Sequence, residues 1–328
     1  WPLLDGALFQ VSNFGEVLAG GDRHHRESDQ IARPQQVRHR RSPLLAEAAN
    51  TEPNIESFST TFTGPTQSPS RQRWLRTSAE FPMKRLLAAG VGDCYELGRV
   101  FRNGEVGRRH NPEFSMLEWY RVGWNHLRLI DETVELVQAA LALRGRRAVC
   151  VSLTYRELFA QSLGLDPFAA SVDVLRAALA DANIEASSLE RDDWLDLLIT
   201  HHIQPMFPAD RITVVRDWPA SQCSLARIRP GSPPVAERFE LYLGRHELAN
   251  GYHELADASE QRARFEHDNQ RRRQRGQVAL PVDERLLDAL EQGLPDCAGV
   301  ALGIERLLMC LLQTDDIRQV LAIDFAHA

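Results

Sequence analysis

The sequence has no CxxC pair. Its five cysteines, Cys94, Cys150, Cys223, Cys297 and Cys310, are scattered and odd in number. That pattern argues for a reducing compartment, with no disulfide framework and no structural zinc expected. No apolar run approaches the ~20 residues that span a bilayer, and the opening does not have the pattern of a signal peptide. A positive balance is missing too: the formal net charge is −7 over 328 residues, whereas a protein that coats nucleic acid needs a basic surface. A soluble, cytoplasmic protein with no membrane partner is expected. The 43% apolar and 25% charged residues are the make-up of a globular fold.

Residues 1–42 lack any apolar period. "GDRHHRESDQIARPQQVRHRRS" repeats at neither 3.6 nor two residues, and it reads as a disordered tail, with a nucleic-acid arm as the alternative. The first residue is Trp1 rather than a methionine, so the natural start is expected to lie elsewhere. From Pro43 to Ala328 the texture is that of folded sequence, with no linker or repeat to mark a second boundary, so residues 43–328 are expected to form one domain.

Within that domain Glu80–Gly90 reads as a short helix stopped by glycine. "DCYELGRVFRN" reads as a strand, "EVGRRHNP" as a loop and "EFSMLEWYRV" as an aromatic return strand. Leu127, Ile130, Val134, Val137 and Leu141 recur at helical spacing, which predicts a helix over His126–Leu143. A second helical region is expected over Val172–Ile199. "RFELYLGRHELANGYHEL" predicts two strands with Asn250-Gly251 as the turn. "GVALGIERLLMCLLQ" predicts a strand end running into an apolar helix. Strands paired through hairpins, with helices elsewhere, indicate an α+β domain built on an antiparallel sheet.

Three segments carry chemistry. In "VFRNGEVGRRHNPEFSMLEWY", Arg102 ends one strand and Phe114 begins the next. A guanidinium there can grip a phosphate bidentately, and a phenyl ring can lie on a purine face. Arg108, Arg109 and His110 could follow further phosphates. In "GRHELANGYHEL", Glu247 and Glu254 could reach one pocket. Paired carboxylates suit Mg²⁺ bridging to phosphates, or equally a substrate ammonium. His246 and His253 are too far apart for the HExxH zinc motif and read as packing or hydrogen-bonding residues. In "AGVALGIERL", Gly299 and Gly303 allow close backbone approach, and Arg306 supplies a second cation. The basic run Gln270–Gln277 reads as a solvated helix face, with docking of an acidic partner as its functional option.

Taken in order, the strand arginine, "RHNPEF", "ELANGYHEL" and "GVALGIERL" resemble the class II aminoacyl-tRNA synthetases, most closely the lysyl-tRNA synthetase branch. The resemblance covers roughly Pro43 to the C-terminus. Within the branch the chain looks like the short paralogues that modify elongation factor P. Nothing before Pro43 reads as an anticodon-binding domain, and Ala301 stands where lysyl-tRNA synthetases carry a glycine beside the amino-acid pocket.

The resemblance implies a class II catalytic core and an ATP- and Mg²⁺-dependent ligase. It would activate (R)-β-lysine as an adenylate and join it to a lysine ε-amine of elongation factor P. Arg102 would bind the α-phosphate and Arg306 would cover the adenine opposite Phe114, the two arginines being the catalytic groups. Asn103, Gly104, Asn111, Glu247, Leu248 and Gly303 would complete the ATP site, with Glu247 and Glu254 on the metal. Ser78, Ala79 and Glu80 would meet the amino-acid end of the substrate, Tyr120 and Glu254 its distal ammonium, and Ala301 would set its choice. The family is homodimeric, and tRNA is not expected as the acceptor. Gly104 stands where the family has glutamate, and Ala79 where it has proline. Residues 1–42 lack the family's amphipathic helix and strand before the proline at Pro43, as a shifted reading frame would produce. Two competing readings are a tRNA-charging enzyme without an anticodon domain and a non-catalytic paralogue.

Overall fold

The structure, a computed structural model, describes residues 37–179 and 189–328. In chain order its strands are β1 (Arg38–His39), β2 (Leu45–Ala46), β3 (Ser59–Thr61), β4 (Gln72–Leu75), β5 (Cys94–Phe101) and β6 (Glu113–Val122). They continue as β7 (Val149–Thr154), β8 (Arg211–Pro219), β9 (Ile228–Arg229), β10 (Val235–Leu243), β11 (His246–His253) and β12 (Cys297–Gly303). The α-helices are α1 (Glu80–Ala88), α2 (His126–Ala142), α3 (Tyr155–Leu163), α4 (Val172–Ala177), α5 (Arg191–Leu198), α6 (Ala258–Gln274), α7 (Glu284–Gly293) and α8 (Ile304–Leu312). Among the described residues no helix is long and apolar enough to cross a membrane.

One large sheet runs β1-β5-β6-β12-β11-β10-β8-β7, with β9 on β10, and a small sheet runs β2-β4-β3. All pairings in the large sheet are antiparallel except β1 with β5 and β7 with β8. This is the expected α+β architecture. Successive strand residues face opposite sides, and the sequence uses that period throughout the centre. Leu117, Trp119, Phe239, Leu241, Val300 and Leu302 turn to one face, where they form a core with Leu129, Ile130, Leu136, Val137 and Leu141 of α2. Met116, Glu118, Arg238, Glu240 and Ala301 therefore turn to the other face, and an open cleft lies there. The apolar layer fixes the sheet against α2 and leaves the polar layer free for a ligand. Asn125 caps α2, its side chain accepting from the Arg128 amide.

Three sequence expectations are corrected. Asn250-Gly251 is not a turn: both residues lie within β11, paired with Glu240 and Phe239 on one side and with Ala301 and Val300 on the other. Gly251 is there for room, because a Cβ would come 2.5 Å from the Phe239 ring. The hairpin turns instead at Gly244, whose φ of 54° suits glycine. The helical region expected over Val172–Ile199 is made of α4 and α5, with residues 180–188 outside the described part. Leu127 is exposed, and Leu129 takes the core position expected of it. The domain begins before Pro43: Arg38 donates its amide to Asp93, Arg40 donates to Tyr95, and the Ser42 hydroxyl donates to Glu96. The remainder of the expected disordered or frame-shifted segment, residues 1–36, lies outside the described residues.

The basic run Gln270–Gln277 is exposed at Gln270 and from Arg273 to Gly276, as expected of a solvated helix face, but three of its arginines are paired. Arg272 is buried and paired with Glu56 at 2.7 Å, Arg275 pairs with Asp193 at 2.9 Å and Arg271 with Glu190 at 3.3 Å. These arginines fasten the end of α6 to the segment before β3 and to α5, which removes the ground for reading them as a docking patch.

Candidate active site

The cleft on the open face of the sheet has a volume of about 760 Å³, within the ~300–1,000 Å³ range of small-molecule sites. Its lining includes Ser78, Glu80, Arg102, Asn111, Phe114, Glu247, Leu248, Ala301, Gly303 and Arg306. Residues chosen from four separate sequence segments are thus brought to one cavity. A bulge helps to assemble them. Leu241 pairs with Ala249 but Tyr242 pairs with Glu247, so Leu248 is an extra residue in β11. Without it, the odd-numbered Glu247 would face the apolar core with Ala249; the bulge returns it to the cleft face with Asn250 and Tyr252.

At one end of the cleft, Arg102 and Phe114 flank the loop between β5 and β6. The Arg102 guanidinium carbon lies 5.3 Å from the Phe114 ring centroid. Its Nε is buried and has no hydrogen-bond partner among the described residues. An unpaired guanidinium N–H in a cleft is a poor state unless an anion completes it. Arg306, on the first turn of α8, donates to the Glu247 carbonyl at 3.1 Å and lies 3.3 Å from its carboxylate and 2.9 Å from His110 Nε2. It therefore spans the loop and β11. Burial and the neighbouring Arg306 push the His110 pKa down, so the pair meets as a guanidinium and a neutral imidazole.

Other predicted nucleotide residues have different placements. Asn111 is engaged at both ends of its amide: it donates to the Glu113 carbonyl at 2.7 Å and accepts from the Phe325 amide at 3.0 Å. Asn103 and Gly104 do not line the cavity, whereas Glu105 does. Gly104 has φ +82°, a conformation a side chain disfavours, so the backbone here is adapted to glycine. Glu105 lies 3.8 Å from Arg102.

The other end is built round α1. Ser78 donates to Glu118 at 2.8 Å, and the Ala79 amide donates to the same carboxylate at 2.5 Å. A carboxylate at a helix N-terminus is favoured by the exposed amides and the dipole. Burial nevertheless pushes Glu118 up to about 7, against the pull of those two hydrogen bonds. Glu80 lines the cavity and lies 2.7 Å from Lys84, one turn further along α1. Lys84 also lies 2.6 Å from Glu254, and both side chains are only 1% exposed. Burial opposes the charge on Lys84, but Glu254 and Glu80 together raise its pKa. Burial likewise raises Glu254 against the pull of Lys84, with Glu80 adding to the rise. Both shifts upward leave Lys84 as the cation of the cluster, with more acid groups than positive charges around it.

Tyr120 and Glu254 do come together. A Cβ on Gly299 would meet the Tyr120 ring at 2.2 Å and Glu254 Oε1 at 2.5 Å, so Gly299 is the glycine that lets them pack. Neither lines the cavity, however, and the Glu254 carboxylate faced by sequence reasoning with a substrate ammonium is held by Lys84. Glu254 is also not a partner of Glu247 on one ion. The two lie at opposite ends of β11, roughly 20 Å apart at the usual rise per strand residue, while Mg²⁺ holds its oxygens at about 2 Å. Glu240 is the carboxylate that shares Glu247's end of the face. It is buried, paired with Arg238 at 2.5 Å and hydrogen-bonded by the Tyr242 hydroxyl, and burial pushes its pKa up. The oxygen donors of Glu247 and Glu240 fit a hard cation carried mainly by phosphates.

Lys84, Glu118 and Glu240 were not singled out from the sequence. The signal for Lys84 was available: in "EFPMK" it follows Glu80 by one helical turn. Glu118 and Glu240 carry no such local mark, since each gains its role from a neighbouring element.

The sequence profile of the class II tRNA synthetases (D, K and N) matches residues 39–325. A protein of Klebsiella pneumoniae named Elongation factor P--(R)-beta-lysine ligase is 46% identical to this chain over 290 residues, 88% of each. Proteins of the same name from Salmonella paratyphi B and Salmonella schwarzengrund are 45% identical over the same length, again 88% of each chain.

Proposed function

The chain belongs to the class II tRNA synthetase family (D, K and N), and from that premise we propose that it is an ATP-dependent ligase that activates (R)-β-lysine and joins it to a lysine ε-amine of elongation factor P. The observation that carries the reading is Arg102: a buried guanidinium N–H without a partner, beside Phe114, at the edge of a cleft of the right size. The names of relatives aligned over 88% of the chain favour this acceptor and this amino acid.

The chemistry follows from the layout. The substrate carboxylate attacks the α-phosphorus of ATP in line; the bond to pyrophosphate breaks and an aminoacyl-adenylate forms. Arg102 stabilises the charge that develops on the α-phosphoryl oxygens, a preorganised electrostatic role. Phe114 and Arg306 hold the adenine from either side. The unprotonated ε-amine of the acceptor lysine then attacks the acyl carbon, an amide forms, AMP leaves and a proton is released. Mg²⁺ would supply positive charge along the phosphates, with Glu247 as its protein carboxylate. Glu80 and Ser78 lie where the amino acid's own charged end would meet α1. Ala301, opposite Glu118 and Asn250 in the sheet, lines the cavity between the two ends and sets the width available to the amino acid. Paired as they are, Arg271, Arg272 and Arg275 give no support to the tRNA-charging alternative.

We also infer a homodimer working in the cytoplasm. The support for the dimer is an exposed apolar pair at the start of β2 in the small sheet, Leu44 and Leu45 at 41% and 47% exposure; sedimentation velocity would test it. The function itself is tested by the intact mass of elongation factor P after incubation with the protein, Mg-ATP and (R)-β-lysine. A gain of one lysyl unit is expected. No gain with pyrophosphate exchange intact would move the acceptor to tRNA or another amine, and the loss of both would leave a non-catalytic paralogue.

A further inference from the structure

On the face of the sheet away from the cleft, a second cluster of side chains takes no part in the reaction. Ala236 of β10 pairs with Trp218 of β8, and Phe239 pairs with Arg216, so Glu237 and Arg238 together face Asp217 alone. This bulge coincides with a backbone exception: Asp217 has φ 58°, a conformation that costs a non-glycine residue on the order of 1–3 kcal/mol and concentrates at functional sites. Glu237 is turned toward β11, where His253 Nδ1 lies 2.6 Å from its Oε2. His126, the first residue of α2, closes the group from the helix layer, its ring centroid 6.4 Å from that of His253. One donor atom from each of His126, Glu237 and His253 lies within 4.8 Å of the others.

His126 is the residue that needs an explanation. It is 1% exposed, yet neither ring nitrogen has a hydrogen-bond partner among the described residues. Its nearest charged neighbour, Asp217 Oδ1, is 3.9 Å from Nε2, too far for a hydrogen bond. A buried polar group left unpaired costs about 1–3 kcal/mol. His253, by contrast, is bonded at both nitrogens, Nδ1 to Glu237 at 2.6 Å and Nε2 to Asp296 Oδ1 at 2.9 Å; a metal on Nδ1 would replace the first bond, with release of its proton, and keep the second. An outer carboxylate on the far nitrogen fixes the ring and its tautomer in many metal centres. Glu237 divides its oxygens in the same sense, Oε1 toward Arg229 at 3.2 Å and Oε2 toward the histidine. Arg229 and Arg216 also hold Asp217, and Arg227 holds Asp296, so the carboxylates are fixed in place by cations on their outer sides.

We propose that His126, Glu237 and His253 form a binding site for a divalent transition-metal ion of the zinc class, with Asp217 as the nearest further oxygen. Two imidazole nitrogens and one carboxylate suit Zn²⁺ or Co²⁺, whereas Mg²⁺ and Ca²⁺ prefer all-oxygen surroundings. The ion's role is structural. It ties the start of α2 to β10 and β11, at the residue preceding Glu254, and so braces the amino-acid end of the cleft from behind. It stands apart from the ATP-bound Mg²⁺ of the proposed reaction and does not depend on that reaction.

The test uses the full chain, stripped with a chelator and titrated with Zn²⁺ and, separately, Co²⁺. One equivalent is expected to bind, with the visible absorption of low-coordinate Co²⁺ and a rise in Tm, and Mg²⁺ should produce neither. His126→Ala and Glu237→Gln should each remove the Co²⁺ spectrum and the Zn²⁺-dependent rise in Tm. Asp296→Asn should weaken binding on the order of 10- to 100-fold. Two ligand variants are used so that a folding defect in one leaves the other decisive. No uptake by the parent protein overturns the proposal, and so does an ion that both ligand variants retain with unchanged affinity.

Discussion

Replacing Lys84 with methionine removes one ammonium from a deeply buried charge cluster behind Glu80 of the cleft wall while keeping the length of the side chain. Lys84 and Glu254 are each 1% exposed and 2.6 Å apart, and Glu80, 15% exposed, is 2.7 Å from the same nitrogen. Comparable geometry at the surface, as in Arg176 with Asp173, contributes about 0–1 kcal/mol. In the cluster the penalty is of another kind, because Glu254 is left buried and uncompensated; breaking such a pair costs about 3–5 kcal/mol. The carboxylate can escape only by taking a proton, so the loss should be larger at pH 8 than at pH 5.5. Urea unfolding of parent and Lys84→Met at both pH values measures it. The double variant Lys84→Met/Glu254→Gln no longer buries that charge, and should be more stable than the two single changes added together by on the order of 2 kcal/mol. A loss under about 1 kcal/mol at pH 8, or strict additivity in the double variant, would refute the argument that Glu254 is charged and depends on Lys84.

Arg102→Ala should lower the rate of ATP-dependent pyrophosphate exchange by about 10²–10³-fold with little change in Tm, because the guanidinium's unpaired N–H contributes nothing to the fold; unchanged exchange would remove Arg102 from the reaction. Glu118 holds its proton to about pH 7 in the fold against 4.5 in the unfolded chain. Between those values the folded state binds the extra proton, so stability falls as pH rises from 4.5 to 7, by up to about 3 kcal/mol. Glu118→Gln should flatten that slope in urea unfolding, and an identical slope in both proteins would contradict the assignment. Ala301→Gly widens the cleft opposite Glu118 by one methyl, worth ~1–3 kcal/mol in a tight pocket, and should raise α-lysine activation relative to (R)-β-lysine in the exchange assay. An unchanged ratio would place amino-acid choice elsewhere.

Much of this protein was readable as local pattern. The alternation that sends Leu117 and Trp119 to the core and Met116 and Glu118 to the cleft is written in β6 itself, as are the ends of β5 and β6 where Arg102 and Phe114 stand. Helix α1 and its stop near Gly90, the course of α2, and the step from β12 into α8 at Gly303 also follow from spacing and punctuation within each segment. The resemblance to class II synthetases rests on the same local strings, which is why it could identify the family.

What the sequence could not decide depends on partners far along the chain. Asn250-Gly251 has the composition of a turn, yet two neighbouring strands impose β11 on it, and the close packing of Phe239 gives the glycine a different reason to be there. Leu248 has nothing in its identity to mark a bulge, but that one extra residue brings Glu247 to the cleft face. Arg272 looks like solvated charge until Glu56 is folded against it. Glu254 reads as a ligand for a substrate ammonium, and tertiary structure adds Lys84 of α1 to the same carboxylate. Periodicity within a segment reports which face a residue shares with its neighbours in sequence. Which charge meets which, and whether a strand shifts by one residue, is set by elements that pack only when the whole sheet is assembled.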